Sequence, residues 1–284
     1  MTLRRQFCEA VARAISAQQS SLCCGLDPDL SKIPGAIGLA ENPDERAIAF
    51  LVGVIDATRP FVSAYKIQKA YFDLLDDPMG SLKTVVREIR SKTDVPIILD
   101  SKIGDTDNTM LAHMQYCNER LAIDAVVLNP YMGAEVLTPF HGEGKCGGVV
   151  MVRTSNRGAG LLQDRRLVDG RAVWEYMLNI VLEEWKSGAD IIPVLTSTTS
   201  LGESVTVKSL PPELPIFIAG FGAQGGSLEG VKDLWLNGGR SVLVNSSRDI
   251  LFPSGATPAK AWKQTIAEAA KKARDRIAIA ISSK

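Results

Sequence analysis

Short runs of consecutive apolar residues, many of them β-branched, recur along the whole chain. Most of these runs do not alternate with polar residues, which is typical of parallel strands that are covered on both faces. The pattern predicts strands at residues 22–27, 62–67, 96–102, 124–130, 147–153, 190–197, 215–222 and 241–247.

The segments between these runs carry apolar residues at spacings of three and four, which predicts amphipathic helices. Clear examples lie at 45–59, 81–92, 171–188 and 258–281. Eight strands that alternate with helices predict a (β/α)₈ TIM barrel of the α/β class. We expect a single domain over residues 1–284, with an N-terminal helix and a C-terminal closing helix. An open doubly wound sheet is the alternative, but no G-x-G-x-x-G motif follows the first strand.

Polar residues fall where the predicted strands end. They are Asp27, Lys66, Asp100, Lys102, Asn129, Thr154, Ser155, Asn156, Gln224 and Arg248. In a barrel, the C-terminal strand ends and the loops that follow them build the active face. Long connections at 38–47 and 161–172 are expected to join that face.

Composition narrows the possible partners. Lys plus Arg and Asp plus Glu both number 32 among the 284 residues, so no basic excess predicts a nucleic-acid or anionic-membrane partner. No apolar run approaches the roughly 20 residues that span a bilayer. The N-terminal segment lacks the apolar core of a signal peptide.

The cysteines and histidines argue against a metal centre. The five cysteines are odd in number and lack C-x-x-C spacing, so neither a disulfide framework nor a zinc site is expected. There are only two histidines, which disfavours a histidine-rich metal site. We therefore expect a cytoplasmic protein with reduced thiols and no metal.

Asp100 and Lys102 lie two residues apart on the third predicted strand, so both should point to the same side. A lysine beside carboxylates is held protonated, because nearby negative charge favours the ammonium. Such a lysine in a dry pocket can give a proton to a developing carbanion. A purely structural ion pair is the alternative.

The segment "FIAGFGAQGG" ends in a glycine-rich turn after the seventh strand, and its glycines include Gly220 and Gly222. Arg248 follows the eighth strand. The loops after strands seven and eight form the recurring phosphate site of TIM barrels, where backbone N–H groups and an arginine bind the anion. These features predict a phosphate site; ordinary tight turns with a surface arginine are the alternative.

The ordered set of these motifs resembles the orotidine 5′-phosphate decarboxylase family, closest to its longer bacterial-type branch. The main block, "DSKIGDTDNT", fits the family pattern D-x-K-x-x-D followed by N-T. The blocks "CGLDPD", "YKIQKAYFD", "LNPYMG", "RTSNRGAG", "GFGAQGG" and "NSSR" match in the family order over about residues 20–255.

The resemblance implies a charged network made of Lys66, Asp100, Lys102 and Asp105. Lys102 would protonate C6 of the pyrimidine, and Asp100 would lie beside the substrate carboxylate. Lys66 would hold Asp100 and a ribose hydroxyl. Lys66, and not the nearby Lys69, matches the strand-end lysine of the family. No cofactor is implied.

The resemblance also implies how the nucleotide is bound. Asp27 would hold the ribose, and Ser155 would hydrogen-bond the pyrimidine. Gln224 and Arg248, with backbone groups around Gly222, would hold the 5′-phosphate. The remaining substrate-binding candidates are Asn129, on the matching fourth block, and Thr109. Asp105 and Thr109 would reach the neighbouring subunit's site, so a homodimer is implied.

Four positions depart from the family pattern. Ile67, Thr106, Ala219 and Arg157 stand where Pro, Ile, Pro and Pro are frequent. None of these departures removes a member of the charged network. Two other functions remain open on the sequence alone: a Mg²⁺-dependent decarboxylase or aldolase acting on a sugar phosphate, and a nucleotide-binding protein without activity.

Overall fold

Eight parallel strands within the described residues close into a barrel, in which β1 pairs with both β2 and β8. The strands are β1 Leu22–Leu26, β2 Ala64–Gln68, β3 Ile97–Ile103, β4 Ala125–Leu128, β5 Gly147–Met151, β6 Ile191–Thr196, β7 Ile216–Ala219 and β8 Val242–Ser246. The computed structural model describes residues 6–33, 37, 42–142, 146–199, 201, 204–221, 226–235, 241–253 and 261–282. The predicted TIM barrel is therefore confirmed, and the open sheet is excluded.

Helices surround the strands. Their bounds are α1 Gln6–Gln18, α2 Pro43–Thr58, α3 Lys69–Phe72, α4 Pro78–Lys92, α5 Asp107–Gln115, α6 Gly160–Gln163, α7 Val173–Lys186, α8 Val205–Lys208, α9 Leu228–Trp235, α10 Arg248–Leu251 and α11 Trp262–Ser282. A π-helical turn, Tyr116–Arg120, extends α5, and 3₁₀ turns at Pro130–Met132 and Ala134–Phe140 follow β4. None of the helices in the described part of the chain is both long enough and apolar enough to cross a bilayer.

Local chemistry explains where α2 begins. The Asn42 side chain accepts hydrogen bonds from the backbone N–H groups of Asp44 and Glu45, and Pro43 occupies the first helical turn. The second half of the connection predicted at 38–47 is therefore helix, and residues 38–41 lie outside the described part. The second predicted connection, 161–172, contains the end of α6 and a short antiparallel bridge between Arg166 and Ala172.

Helix α1 packs at the N-terminal ends of β5 and β6, and α11 packs against α2. The Asp190 carboxylate, just before β6, accepts hydrogen bonds from the backbone N–H groups of Phe7 (2.6 Å) and Cys8 (3.0 Å) at the start of α1. At the other end of the chain, the Trp262 ring of α11 packs 5.5 Å from the Phe50 ring of α2. Both predicted terminal helices are present, although Pro258 lies outside the described residues.

All five cysteines lie among the described residues and are buried. Burial raises the pKa of the Cys23 thiol to about 12. A thiol with so high a pKa carries little of the nucleophilic thiolate at neutral pH. Cys23 therefore acts as a small core residue of β1.

Candidate active site

A cavity of about 440 Å³ opens at the C-terminal ends of the strands, where the fold places catalytic groups. All eight strands, or the residues directly after them, contribute to its wall. The polar lining residues are Asp27, Lys66, Gln68, Asp100, Lys102, Thr154, Ser155, Asn156, Gln163, Asn245, Ser246, Ser247, Arg248 and Asp249. Val127, Met151, Val194, Phe217 and Phe221 are among the apolar ones.

Asp100 is the centre of a hydrogen-bonded network on one side of the cavity. Its Oδ2 atom accepts from Lys66 Nζ at 2.7 Å and from Gln68 Nε2 at 3.1 Å. Its Oδ1 atom accepts from Lys102 Nζ at 2.6 Å. Asp100 and Lys66 are buried, whereas the side chain of Lys102 is 48% exposed. One carboxylate thus joins a buried ammonium to an ammonium that faces the open cavity.

Opposite charges keep both buried groups ionised. Burial favours the neutral form of Asp100, but Lys66 and Lys102 outweigh it and hold the pKa of this carboxyl below its usual value. Burial likewise favours neutral Lys66, but Asp27 and Asp100 outweigh it and raise the pKa of the ammonium. Asp100 and Lys66 are therefore both charged at neutral pH.

Lys102 reaches the cavity through an irregular stretch of β3. Its φ angle is +49°, in the left-handed region, and the pairing of β3 with β4 shifts register between Leu99 and Ile103. The expectation that Asp100 and Lys102 share one side of a regular strand gave the correct outcome, since both line the cavity. The bulge, and not strand alternation alone, aims the Lys102 side chain.

The two lysines of "YKIQKAYFD" have different surroundings. Lys66 lies on β2 and lines the cavity, as expected for the family lysine. Lys69 begins α3 and pairs with Asp73 at 2.6 Å in an exposed i, i+4 ion pair. Gln68, which the sequence analysis did not single out, lies two residues after Lys66 and could have been found by the same strand periodicity.

Two buried oxygen atoms in the cavity wall have no hydrogen-bond partner within the described part of the chain: Oδ1 of Asp27 and Oδ1 of Asn245. The nearest cation to the first is Lys66 Nζ, at 4.0 Å. Buried polar atoms are costly to leave unpaired. Both oxygens are therefore suited to accept hydrogen bonds from a polar molecule in the cavity. Asn245 belongs to the "NSSR" block, but no role was predicted for it.

The predicted Ser155 lines the cavity on the loop after β5, next to Gly220 after β7. Gly220 has a φ angle of +87°, and a Cβ atom there would lie 2.6 Å from Ser155 Cβ. This close approach explains why a glycine directly follows β7. It also ends the strand earlier than the predicted 215–222.

Replacing Gly220 with alanine should lower the free energy of unfolding by about 1–3 kcal/mol more than replacing Gly170 does. Gly170 has a similar φ of +85°, but among the described residues nothing lies within 4 Å of a Cβ built on it. Both variants carry the same backbone strain, and only Gly220→Ala adds the clash with Ser155. Urea unfolding of the two variants measures the difference. Equal losses of unfolding free energy would contradict the close contact between position 220 and Ser155.

The predicted phosphate-binding residues are placed in part. Arg248 begins α10 directly after β8 and lines the cavity together with Ser247 and Asp249. Gly222 and Gln224, from the glycine-rich segment, lie outside the described residues. Within the described residues, the wall of the cavity where phosphate is predicted to bind consists of Gly220, Phe221 and the residues that follow β8.

Three predicted site residues do not line the cavity of this chain. Asp105 accepts a hydrogen bond from the Thr106 backbone N–H at 2.7 Å, and Thr109 is exposed on α5. Thr106, one of the four departures from the family pattern, is the exposed residue that precedes α5. Asn129 uses its Oδ1 to accept from the Tyr131 backbone N–H at 3.1 Å, which caps the following 3₁₀ turn.

Comparison with known proteins gives concordant matches over most of the chain. The model of the family described as "Orotidine 5′-phosphate decarboxylase / HUMPS family" matches residues 20–265. An orotidine 5′-phosphate decarboxylase from Bordetella avium is 33% identical over 95% of this chain and 98% of its own length. One from Cellvibrio japonicus is 34% identical over 87% and 90%. The structure of Leishmania donovani OMP decarboxylase aligns with a TM-score of 0.79 and 25% identity over 98% and 99%.

Proposed function

The chain belongs to the orotidine 5′-phosphate decarboxylase / HUMPS family, and we propose that it converts orotidine 5′-phosphate to UMP and CO₂ without a cofactor. Its membership, predicted from the sequence motifs, is confirmed. The observation that carries the proposal is the Lys66–Asp100–Lys102 network at the mouth of the barrel. It sets an ammonium beside a carboxylate that is held ionised by two lysines.

The nucleotide is proposed to lie across the cavity with its phosphate near Arg248, where Gly222 and Gln224 would complete the binding site. Asp27 and Lys66 would bind the ribose hydroxyls; the Oδ1 atom of Asp27, which accepts no hydrogen bond within the described residues, supports this role. Ser155 would hydrogen-bond the pyrimidine. This orientation directs the carboxylate at C6 towards Asp100 and the C6 atom itself towards Lys102. Asn129 remains a candidate for substrate contact through its loop.

The proposed reaction needs only one proton from the protein. The bond between C6 and the carboxylate carbon breaks, CO₂ leaves, and the bonding electron pair remains on C6. Lys102 Nζ then gives its proton to C6, which yields UMP and a neutral lysine that regains a proton from water. The ammonium acts as general acid and as preorganised positive charge beside the developing carbanion.

Lys102 alone would not supply the whole rate enhancement. Two unit charges about 4 Å apart at an effective dielectric near 20 interact by roughly 4 kcal/mol. Enzymes lower their barriers by about 8–23 kcal/mol. Binding of the remote phosphate would contribute further by ordering the loops and excluding water from the cavity.

The hydrogen bonds of Asp100 favour this reaction over a Mg²⁺-dependent one on a sugar phosphate. Magnesium sites in proteins use carboxylate oxygens that are free to bind the ion. Both Asp100 oxygens already accept hydrogen bonds from lysine ammonium groups. A cation would have to displace two like charges to reach this carboxylate.

The loss of orotidine 5′-phosphate absorbance, measured with and without EDTA, tests the proposal. Turnover to UMP that is unchanged by EDTA is the expected result. Turnover lost in EDTA and restored by Mg²⁺ would contradict the cofactor-free reaction. UMP binding without any turnover would instead indicate a binding protein.

We further propose a cytoplasmic homodimer in which Asp105 and Thr109 serve the partner's site. Exposed apolar side chains support an interface beside them: Leu74 after β2, and Tyr131 and Met132 after β4. These residues flank the β3 connection that carries Asp105. An interface there would cover apolar surface and bring this connection to a second chain.

A mixture of inactive variants should test whether the site is shared. Lys102→Ala and Asp105→Ala homodimers should each have strongly reduced turnover. In a mixed dimer, one site has both an intact Lys102 and an intact Asp105 from the partner. After subunit exchange, activity should recover to about a quarter of wild type, because half the dimers are mixed and each has one intact site. No recovery after demonstrated exchange would contradict a shared site, and light scattering would verify the dimer.

A further inference from the structure

Arg153, the second residue after β5, is buried at 5% exposure but does not line the cavity. Its Nε and Nη2 atoms donate to the two carboxylate oxygens of Asp164, both at 2.9 Å. Its Nη1 atom donates to the carbonyl oxygen of Thr154 at 2.6 Å. A bidentate pair of this kind fixes geometry as well as charge. The guanidinium therefore ties the connection after α6 to the end of β5.

Gln163, next to Asp164, completes the link and lines the cavity. Its Oε1 accepts from the Thr154 backbone N–H at 2.9 Å, and its Nε2 donates to Thr154 Oγ1 at 2.9 Å. The Thr154 hydroxyl in turn donates to Asn156 Oδ1 at 2.7 Å. Thr154 is thus held at its carbonyl, its amide and its hydroxyl, directly before Ser155.

Gly160 is a sequence feature that fits this arrangement. A Cβ atom at this position would lie 2.6 Å from Asp164 Oδ2, the oxygen that accepts from Arg153 Nη2. A glycine lets the carboxylate fold back over the first turn of α6 and reach the guanidinium. The Arg153–Asp164 pair therefore depends on a glycine at position 160.

We propose that Arg153, Asp164 and Gln163 form a latch that positions Ser155 and Asn156 for recognition of the nucleotide base. Arg153 and Asp164 are positioning residues, because they act through Thr154 and Gln163. The inference rests on the proposed function, since it assigns the base end of the nucleotide to this loop. The phosphate end, near Arg248, is not held by the latch.

The chain offers a matched control in the same connection. Asp169 also accepts two guanidinium hydrogen bonds, from Arg171 Nε at 2.8 Å and Nη2 at 2.5 Å. That pair is exposed, and its partners are two residues apart. Asp164→Asn and Asp169→Asn therefore remove the same charge from two arginine pairs, of which only one reaches β5.

Calorimetric titration with UMP and with ribose 5-phosphate distinguishes the latch from a merely structural ion pair. Asp164→Asn should weaken UMP binding about tenfold or more, because a charged hydrogen-bonded pair that positions the base site is lost. Its affinity for ribose 5-phosphate, which has no base, should equal that of wild type. Asp169→Asn should leave both affinities unchanged.

Gln163→Met is a second variant that preserves the arginine pair. It should reproduce the selective loss of UMP affinity. Equal weakening of both ligands, or wild-type UMP affinity in either latch variant, would overturn the latch. Wild-type protein that binds UMP but does not decarboxylate orotidine 5′-phosphate would refute the proposed function, while the binding comparison would still test the latch.

Discussion

Lys102→Ala is expected to lower kcat by at least about 10³-fold, because it removes both a general acid and a charge worth roughly 4 kcal/mol. The fold should persist, since the Lys102 side chain is about half exposed and the Asp100 carboxylate that it contacts has two other donors. Single-turnover measurements with orotidine 5′-phosphate would follow the chemical step directly.

Lys69→Ala provides the control for this variant. Lys69 is three residues from Lys66, but its ammonium pairs with Asp73 on the surface. Exposed pairs of this kind contribute about 0–1 kcal/mol to the free energy of unfolding, so the fold should be unaffected. Because the Lys69 ammonium pairs away from the Asp100 network, kcat should stay within about twofold of wild type. If Lys102→Ala retained wild-type kcat, Lys102 would take no part in the reaction. Its role would then be the structural ion pair with Asp100.

Asp100→Asn is expected to reduce both turnover and stability. The buried Lys66 ammonium would lose its 2.7 Å carboxylate partner and, among the described residues, keep Asp27 at 4.0 Å. Breaking a buried ion pair by removing one partner costs about 3–5 kcal/mol. Loss of the charge that holds Lys102 in place should also lower kcat by at least about 10²-fold. Urea unfolding and steady-state kinetics measure the two effects.

The stability effect of Asp100→Asn should depend on pH with a defined sign. The pKa of Asp100 is lowered in the folded protein, so its contribution is present above the unfolded value of about 3.9 and is lost as pH falls through the folded pKa. The pKa of Lys66 is raised, so its contribution is present below about 10.4 and is lost as pH rises further.

The difference in unfolding free energy between wild type and Asp100→Asn should therefore be largest between about pH 4 and pH 10 and should shrink on both sides. Asp73→Asn, which breaks the exposed pair with Lys69, should change stability by less than about 1 kcal/mol at any pH. A difference that grows below pH 4 would contradict the assignment of an ionised Asp100.

The barrel could be predicted from the sequence because its strands are local patterns. β4 and β6 are buried at every position, and an apolar run, followed in β6 by Thr196, marks each of them without knowledge of its neighbours. Strand ends were less predictable. β7 ends at Ala219 because the next residue takes a positive φ and packs on Ser155, a contact between distant parts of the chain.

In the candidate site, too, the residues marked by local sequence patterns were predictable, and those placed by contacts between distant residues were not. Lys66, Asp100 and Lys102 were predictable, because strand spacing and family motifs both placed them at strand ends. Gln163 was not, since it reaches the cavity through the Arg153–Asp164 pair, which joins residues eleven positions apart without a periodic signal. Asp105 and Thr109, which carry no strand pattern, stay predicted contributors to the site of another subunit.

The left-handed backbone at Lys102 has a consequence for efforts to stabilise this protein. A non-glycine residue held in such a conformation costs about 1–3 kcal/mol, which the surrounding barrel must offset. A design procedure that optimises folding energy alone would select glycine at position 102 and so delete the proposed proton donor. Thermostable versions of this chain should therefore be sought by changes elsewhere, with residue 102 fixed.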